Sequence, residues 1–124
     1  MLPSAKIVGF VQVTDRKKAR QFYVDVLSLK FVSEDPFALV VDSNGTRVRI
    51  GEMPNLQPAQ FTVLGWEVSD MEEAVSFLQS RGVELQKYGF PGQDDRGVWT
   101  TPSGDKVAWF KDPAGNILSV SQHA

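Results

Sequence analysis

Apolar residues follow two spacings along this chain. Runs from Ile7 to Val13 and from Phe61 to Val68 are strand-like, and each leads into a stretch where apolar residues recur every three or four positions. In the first stretch Ala19, Phe22, Tyr23, Val26 and Leu27 mark one helical face; in the second the stripe is Met71, Ala74, Val75 and Leu78, with Phe77 at its edge. Thr14 or Asp15, and Ser69 or Asp70, stand where side-chain oxygens accept bonds from the free amides of a first turn. Gly82 follows Arg81 at the position that ends a helix in a left-handed residue. The predicted order is strand 5–13, helix 15–27, and strands 29–34, 37–42 and 46–52. A linker, 53–60, holds Pro54 and Pro58. Then come strand 61–69, helix 70–81, strand 83–88, a long loop over 88–105, and strands 105–111 and 116–121.

The two halves echo one another. Val13-Thr14-Asp15, Ala19 and Phe22 return as Val68-Ser69-Asp70, Ala74 and Phe77 at a constant offset of 55. Asp42-Ser43-Asn44-Gly45, then Val48 and Ile50, match Asp112-Pro113-Ala114-Gly115, then Leu118 and Val120, at an offset of 70. Both four-residue stretches have the composition of tight hairpin turns. The change of offset places 15 extra residues in the second half, in the Gly- and Pro-rich stretch from Tyr88 to Asp105. This is a βαβββ pattern twice over: an α+β chain with module one at 5–52 and module two at 61–122. At 124 residues the chain is expected to be a single domain.

Composition narrows the chemistry. With 42% apolar and 23% charged residues the chain has a globular profile, and 13 basic against 15 acidic residues give no electrostatic footprint for nucleic acid. No apolar run reaches signal-peptide or membrane length, so no membrane partner and a cytoplasmic location are expected. There is no cysteine and one histidine, His123. Disulfides, cysteine nucleophiles, zinc fingers and Fe–S sites are excluded, and a histidine-based triad would have to be built around the tail.

Val13-x-Asp15-x3-Ala19-x2-Phe22-Tyr23-x3-Leu27, with the later Asp112-Pro113-x-Gly115-Asn116, resembles the vicinal oxygen chelate superfamily. That family includes glyoxalase I, extradiol dioxygenases, fosfomycin-resistance enzymes and bleomycin-resistance proteins. The resemblance runs from Lys6 to Gln122. It implies two βαβββ modules forming a curled mixed sheet around a central cavity, and a homodimer. Ser28 stands where the family's turn usually has glycine, at a cost to serine of about 1 kcal/mol if the residue is left-handed. The family's metal enzymes place ligands seven residues before the motif aspartate and seven after the turn aspartate of each module. Here those positions hold Val8, Val63, Arg49 and Ser119. Valine has no donor atom, a guanidinium repels a cation, and a neutral serine is a poor ligand. No metal and no cofactor are expected.

Strand alternation puts Val8, Phe10, Gln12, Val63, Gly65 and Glu67 on the face that the resemblance turns toward the cavity. Arg47, Arg49, Ile117, Ser119 and Ser121 join them. Gly9, Val11, Val13, Leu64, Trp66 and Val68 lie under the helices. Arg49 has three readings: a bidentate anchor for a carboxylate or phosphate assisted by Ser119, a structural ion pair with Glu67 or Glu52, or a solvated strand face. Glu67 could act as a general base if desolvated. Trp99 and Trp109, near Tyr88 and Phe90, offer flat walls to an aromatic ligand or pack beneath the loop. Asp94-Asp95-Arg96 reads as a solvated loop tip, and His123 as a frayed end. The leading expectation is a metal-independent protein that binds an anionic or aromatic small molecule without transforming it. A lyase, isomerase or dioxygenase-like enzyme is the alternative, and an interaction module with a filled cavity the third.

Overall fold

A single turn at Leu2–Ser4 precedes β1 (Val8–Val13) in the computed structural model, which describes all 124 residues. Helix α1 (Arg16–Arg20) and strands β2 (Lys30–Glu34), β3 (Leu39–Ser43) and β4 (Thr46–Glu52) follow. After the connection come β5 (Thr62–Glu67), α2 (Met71–Ser80), β6 (Trp99–Thr100), β7 (Lys106–Lys111) and β8 (Ile117–Gln122). The chain forms two compact units, Met1–Gln57 and Pro58–Ala124. Each holds a four-stranded mixed sheet of the same order, β1-β4-β3-β2 and β5-β8-β7-β6. In each, the first strand runs parallel to the last and the others pair antiparallel. This is the α+β arrangement of two βαβββ modules.

The helix starts follow the chemistry of their caps. Asp15 accepts hydrogen bonds from the Lys17 and Lys18 N–H groups, and Asp70 from that of Glu73. A residue at the end of the parallel partner strand takes up one more free amide. Glu52 accepts from Arg16 N–H at 3.1 Å, and Gln122 from Met71 N–H at 2.6 Å. These bonds tie each helix to its sheet and satisfy donors that the helix cannot. Gly82 ends α2 at φ +78°, with Val83 N–H bonded to Leu78 O and Gly82 N–H to Gln79 O. The first helix departs from a regular 15–27 span. Beyond Arg20 it continues as a wider π-type winding, Gln21–Val26, closed by Leu27 N–H to Phe22 O. Ser28 then takes φ +63°, the left-handed geometry that the glycine-for-serine argument anticipates. Asn44 and Gly45, at φ +49° and +92°, make the two-residue hairpin between β3 and β4.

Each sheet has one covered and one open face. In the first unit Val11, Val13, Leu39, Val41, Val48 and Ile50 are buried, with Ala19 and Tyr23. In the second, Ala108, Phe110, Leu118 and Val120 are buried together with Met71, Val75 and Leu78 of α2. Helix α1 packs over β4 and α2 over β8. Trp66 is half-buried and stacks on Phe110 at 6.3 Å, on the side assigned to it by alternation.

Two sequence expectations fail in the second unit. Residues 83–88 form no strand. Val83 and Leu85 are buried in alternation, but only Gln86 N–H reaches β7, at Trp109 O. The edge of β7 is taken instead by β6, whose Trp99 and Thr100 face Val107 and Lys106. The stretch 88–105 is therefore not all loop. It returns one short strand to the sheet, and that strand completes the order seen in the first unit.

Candidate functional site

On the open face of the first sheet, register decides the neighbours. Phe10 stands opposite Arg49 and Val8 opposite Arg47 across the parallel β1–β4 pair, while Val40 flanks Arg49 from β3. Gln12 faces Gly51 and lies over it, so that a Cβ at 51 would meet the Gln12 amide oxygen at 2.6 Å. Phe10 is 68% exposed, Arg47 exposed and Arg49 half-buried. Neither guanidinium enters a hydrogen bond or an ion pair. Glu52, one of the partners considered for Arg49, is instead occupied by the first amide of α1. Asp35 is held below the ordinary carboxylate range mainly by the Phe37 and Ala38 N–H groups. The nearby Arg49 and Arg16 charges add to the effect.

The second sheet's open face is built differently. Across β5, β8 and β7 the row reads Gly65, Ser119, Trp109; the next reads Glu67, Ser121, Val107 and, on β6, Trp99. A Cβ at Gly65 would approach Ser119 Oγ to 2.9 Å, so the floor beside Ser119 is open only because residue 65 is glycine. A bulge at Val63 places Thr62 rather than Val63 opposite Ile117. One extra residue in the strand displaces the pairing there. Glu67 has a side chain 72% exposed, and its nearest ionic neighbour is His123 Nε2 at 3.8 Å.

Beside this floor stands an aromatic wall. Trp109 stacks on Trp99 with centroids 6.1 Å apart and planes at 27°, and meets Tyr88 at 5.5 Å and Phe90 at 5.9 Å edge-on. Only Trp109 comes from a long strand. Trp99 opens the two-residue β6, and Tyr88 and Phe90 are carried by the irregular segment 86–98, whose course polar side chains fix. Gln93 Oε1 accepts from the Tyr88 and Gly89 N–H groups, while its Nε2 donates to the Gln86 and Gly97 carbonyls. Asp94 Oδ1 accepts from the amides of Arg96, Gly97 and Val98. Arg96 forms a two-pronged pair with Glu72 of α2, at 2.6 and 3.0 Å, and also bonds Asp94. Asp94 and Asp95 are exposed, as a solvated loop tip requires, and Asp94 and Arg96 also anchor the segment. The signal that could have revealed it is an aspartate followed three residues later by glycine, the composition of a side-chain-closed turn.

The residues at the superfamily's metal-ligand positions do not suit a metal. Val8 and Arg49 share the open face of the first sheet; Val63 and Ser119 lie on neighbouring strands of the second. Two have no donor atom and one is a cation. No group of three or more His, Cys, Asp or Glu side chains gathers elsewhere to hold an ion. No helix is long and apolar enough to cross a membrane.

Comparison with known proteins agrees with this geometry. TnmS3, an antibiotic binding protein from Streptomyces sp. CB03234, is 27% identical, with a TM-score of 0.74 over 100% of this chain and 99% of its own. A superfamily member from Sphaerobacter thermophilus DSM 20745 is 25% identical, with a TM-score of 0.75 over 99% and 100% of the two chains. A lactoylglutathione lyase from Agrobacterium tumefaciens shares the fold at 17% identity, with a TM-score of 0.73 over 97% and 94%. Among curated proteins none matches at a significant level. Residues 6–120 match the Glyoxalase/Bleomycin resistance protein/Dioxygenase superfamily, nearly the whole chain, with its fold in both units. The chain belongs to that superfamily.

Proposed function

We propose that this protein binds an aromatic or anionic small molecule, without a metal, and holds it unchanged. The observation that carries the reading is the open face of the second sheet. A floor of Gly65, Ser119 and Ser121 adjoins a wall of Tyr88, Phe90, Trp99 and Trp109. Indole and phenyl faces gain most from flat apolar ligands, and Ser119 adds a hydrogen-bonding group for orientation. The description of TnmS3 as antibiotic-binding supports the same class. In the first unit the Arg49 guanidinium, which makes no hydrogen bond or ion pair within the protein, offers an anionic group a bidentate partner. The halves are read as a duplicated module and the assembly as a homodimer, which sedimentation at several concentrations checks.

The test is a panel of aromatic antibiotics and aromatic carboxylates, read by thermal shift and tryptophan fluorescence. Binding raises the melting temperature by mass action. Trp109→Ala lowers the affinity of the best aromatic compound at least tenfold, and Arg49→Ala does the same for the best carboxylate. Mass spectrometry recovers the ligand intact, and elemental analysis of untagged protein finds no stoichiometric transition metal. Turnover, a bound metal or a silent panel each overturns the proposal.

A further inference from the structure

Trp99 belongs to a second surface besides the wall. With Phe90, Pro91, Thr100, Thr101 and Pro102 it lines a groove of about 490 Å³ at the β6 edge of the sheet. That volume lies within the range of pockets that take drug-sized molecules, about 300–1,000 Å³. No ionisable side chain lines it. The Trp99 indole N–H is spent on the Pro91 carbonyl at 3.1 Å, so the ring offers its π surface and no donor. Thr101 Oγ1 is likewise engaged, by Ser103 Oγ and the Asp105 N–H. What remains is a mainly apolar slot of one indole, one phenyl and two prolyl rings, with the exposed Thr100 as its uncharged polar member.

The groove is also held in shape. Gly92 lies so close to β6 that a Cβ there would sit 2.9 Å from the Thr100 carbonyl, and Thr100 N–H bonds Gly92 O. The four Gln93 bonds fix the residues on either side of that contact. A groove formed before binding charges the ligand little for ordering its walls.

We propose that this groove binds a neutral, planar, polycyclic aromatic ligand or ligand moiety, stacked on Trp99. The proposal rests on the small-molecule-binding reading and gives it a place and a ligand class. Neutrality follows from the lining, because an ion would lose hydration there without gaining a counter-charge.

Acridone, a neutral fluorescent tricycle, is the probe, and the anion naphthalene-2-sulfonate is the control. Titrations use wild type, Thr100→Arg, Trp99→Phe and Lys18→Ala, read by fluorescence and by the indole N–H resonances in ¹⁵N NMR. Acridone shifts the Trp99 indole resonance most and binds at least tenfold more tightly than the sulfonate. Thr100→Arg, at an exposed position, lowers its affinity at least tenfold; Trp99→Phe lowers it several-fold, and Lys18→Ala, on the exposed side of α1, leaves it unchanged. Two results overturn the groove: no acridone binding up to its solubility limit, or binding that ignores Thr100→Arg and shifts only Trp66 and Trp109. Either result can coexist with ligands found in the broader panel, so the small-molecule reading fails only if that panel is silent.

Discussion

The two units share a strand order, a helix cap from an aspartate and a second cap from the end of the parallel strand, yet their open faces differ. Where the first sheet sets Phe10 opposite Arg49, the second sets Gly65 opposite Ser119. A bulky ring beside a free cation is replaced by a bare floor beside an aromatic wall. The covered faces stay alike because they carry the fold: Val, Ile and Leu on strands, and one large buried ring in each unit, Tyr23 at 0% and Phe110 at 1% exposure. The open faces carry fewer buried side chains, and there the two units differ. In this chain, likeness follows packing.

Truncating a covered ring is the hardest way to test that division. Phe110→Ala is expected to cost about 3–5 kcal/mol, the usual range for a fully buried phenylalanine. Phe10→Ala, on an open face at 68% exposure, is expected to stay within about 0.5 kcal/mol. Urea unfolding of both variants measures the gap. A large loss at Phe10 would show that its face is packed after all and would break the comparison.

The matched turn aspartates sharpen it on a smaller scale. Asp112 is 4% exposed and accepts from the Ala114 and Asn116 N–H groups and from the Asn116 side chain. Its counterpart Asp42 is half-buried and accepts from Gly45 N–H. Asp112→Ala leaves several buried donors without acceptors and is expected to cost about 2–3 kcal/mol. Asp42→Ala exposes its donor to water and is expected to cost about 0.5–1 kcal/mol. Equal losses, measured by the same unfolding experiment, would mean that turn chemistry rather than burial sets the effect.

These contrasts also mark how far the sequence is legible. Strands, helix stripes, caps and turns follow local rules of spacing and hydrogen bonding, and Asp15, Asp70, Gly82 and Ser28 all behave as those rules require. Residues 83–88 mislead because alternation reports burial, not pairing: Val83 and Leu85 are buried with no ladder beside them. The bulge at Val63 leaves no mark in apolar spacing. The partners of Gln93 and Arg96 lie across a loop or on a distant helix, and nothing in composition joins Arg96 to Glu72. Hence the candidate residues Trp99 and Trp109 could be named, while the side chains that hold the wall in place could not.

The smallest predicted effect concerns that hold, and it separates the units by mechanism. Glu72 lies below the ordinary carboxylate range because Arg96 hydrogen-bonds its ionised form. Burial pushes Asp94 up, but the Val98 amide and Arg96 outweigh it, and its net shift is also downward. Groups whose folded pKa is depressed stabilise the protein above their unfolded pKa, and the contribution drains away as pH falls through the folded value. Asp35 in the first unit behaves likewise, but through the Phe37 and Ala38 amides at 2.8 and 2.9 Å. Acid therefore weakens both units between about pH 5 and pH 3, whereas salt should discriminate, because it screens the exposed Arg96 pairs more than short backbone bonds. Arg96→Gln is expected to flatten the acid limb of urea stability at low salt, and the difference from wild type should shrink in 1 M salt, a Debye length of about 3 Å. Asp35→Asn should flatten the acid limb equally at both salt concentrations. If Arg96→Gln leaves the limb unchanged at low salt, the clasp adds nothing to stability, and Gln93 and the Asp94 turn alone hold the aromatic wall.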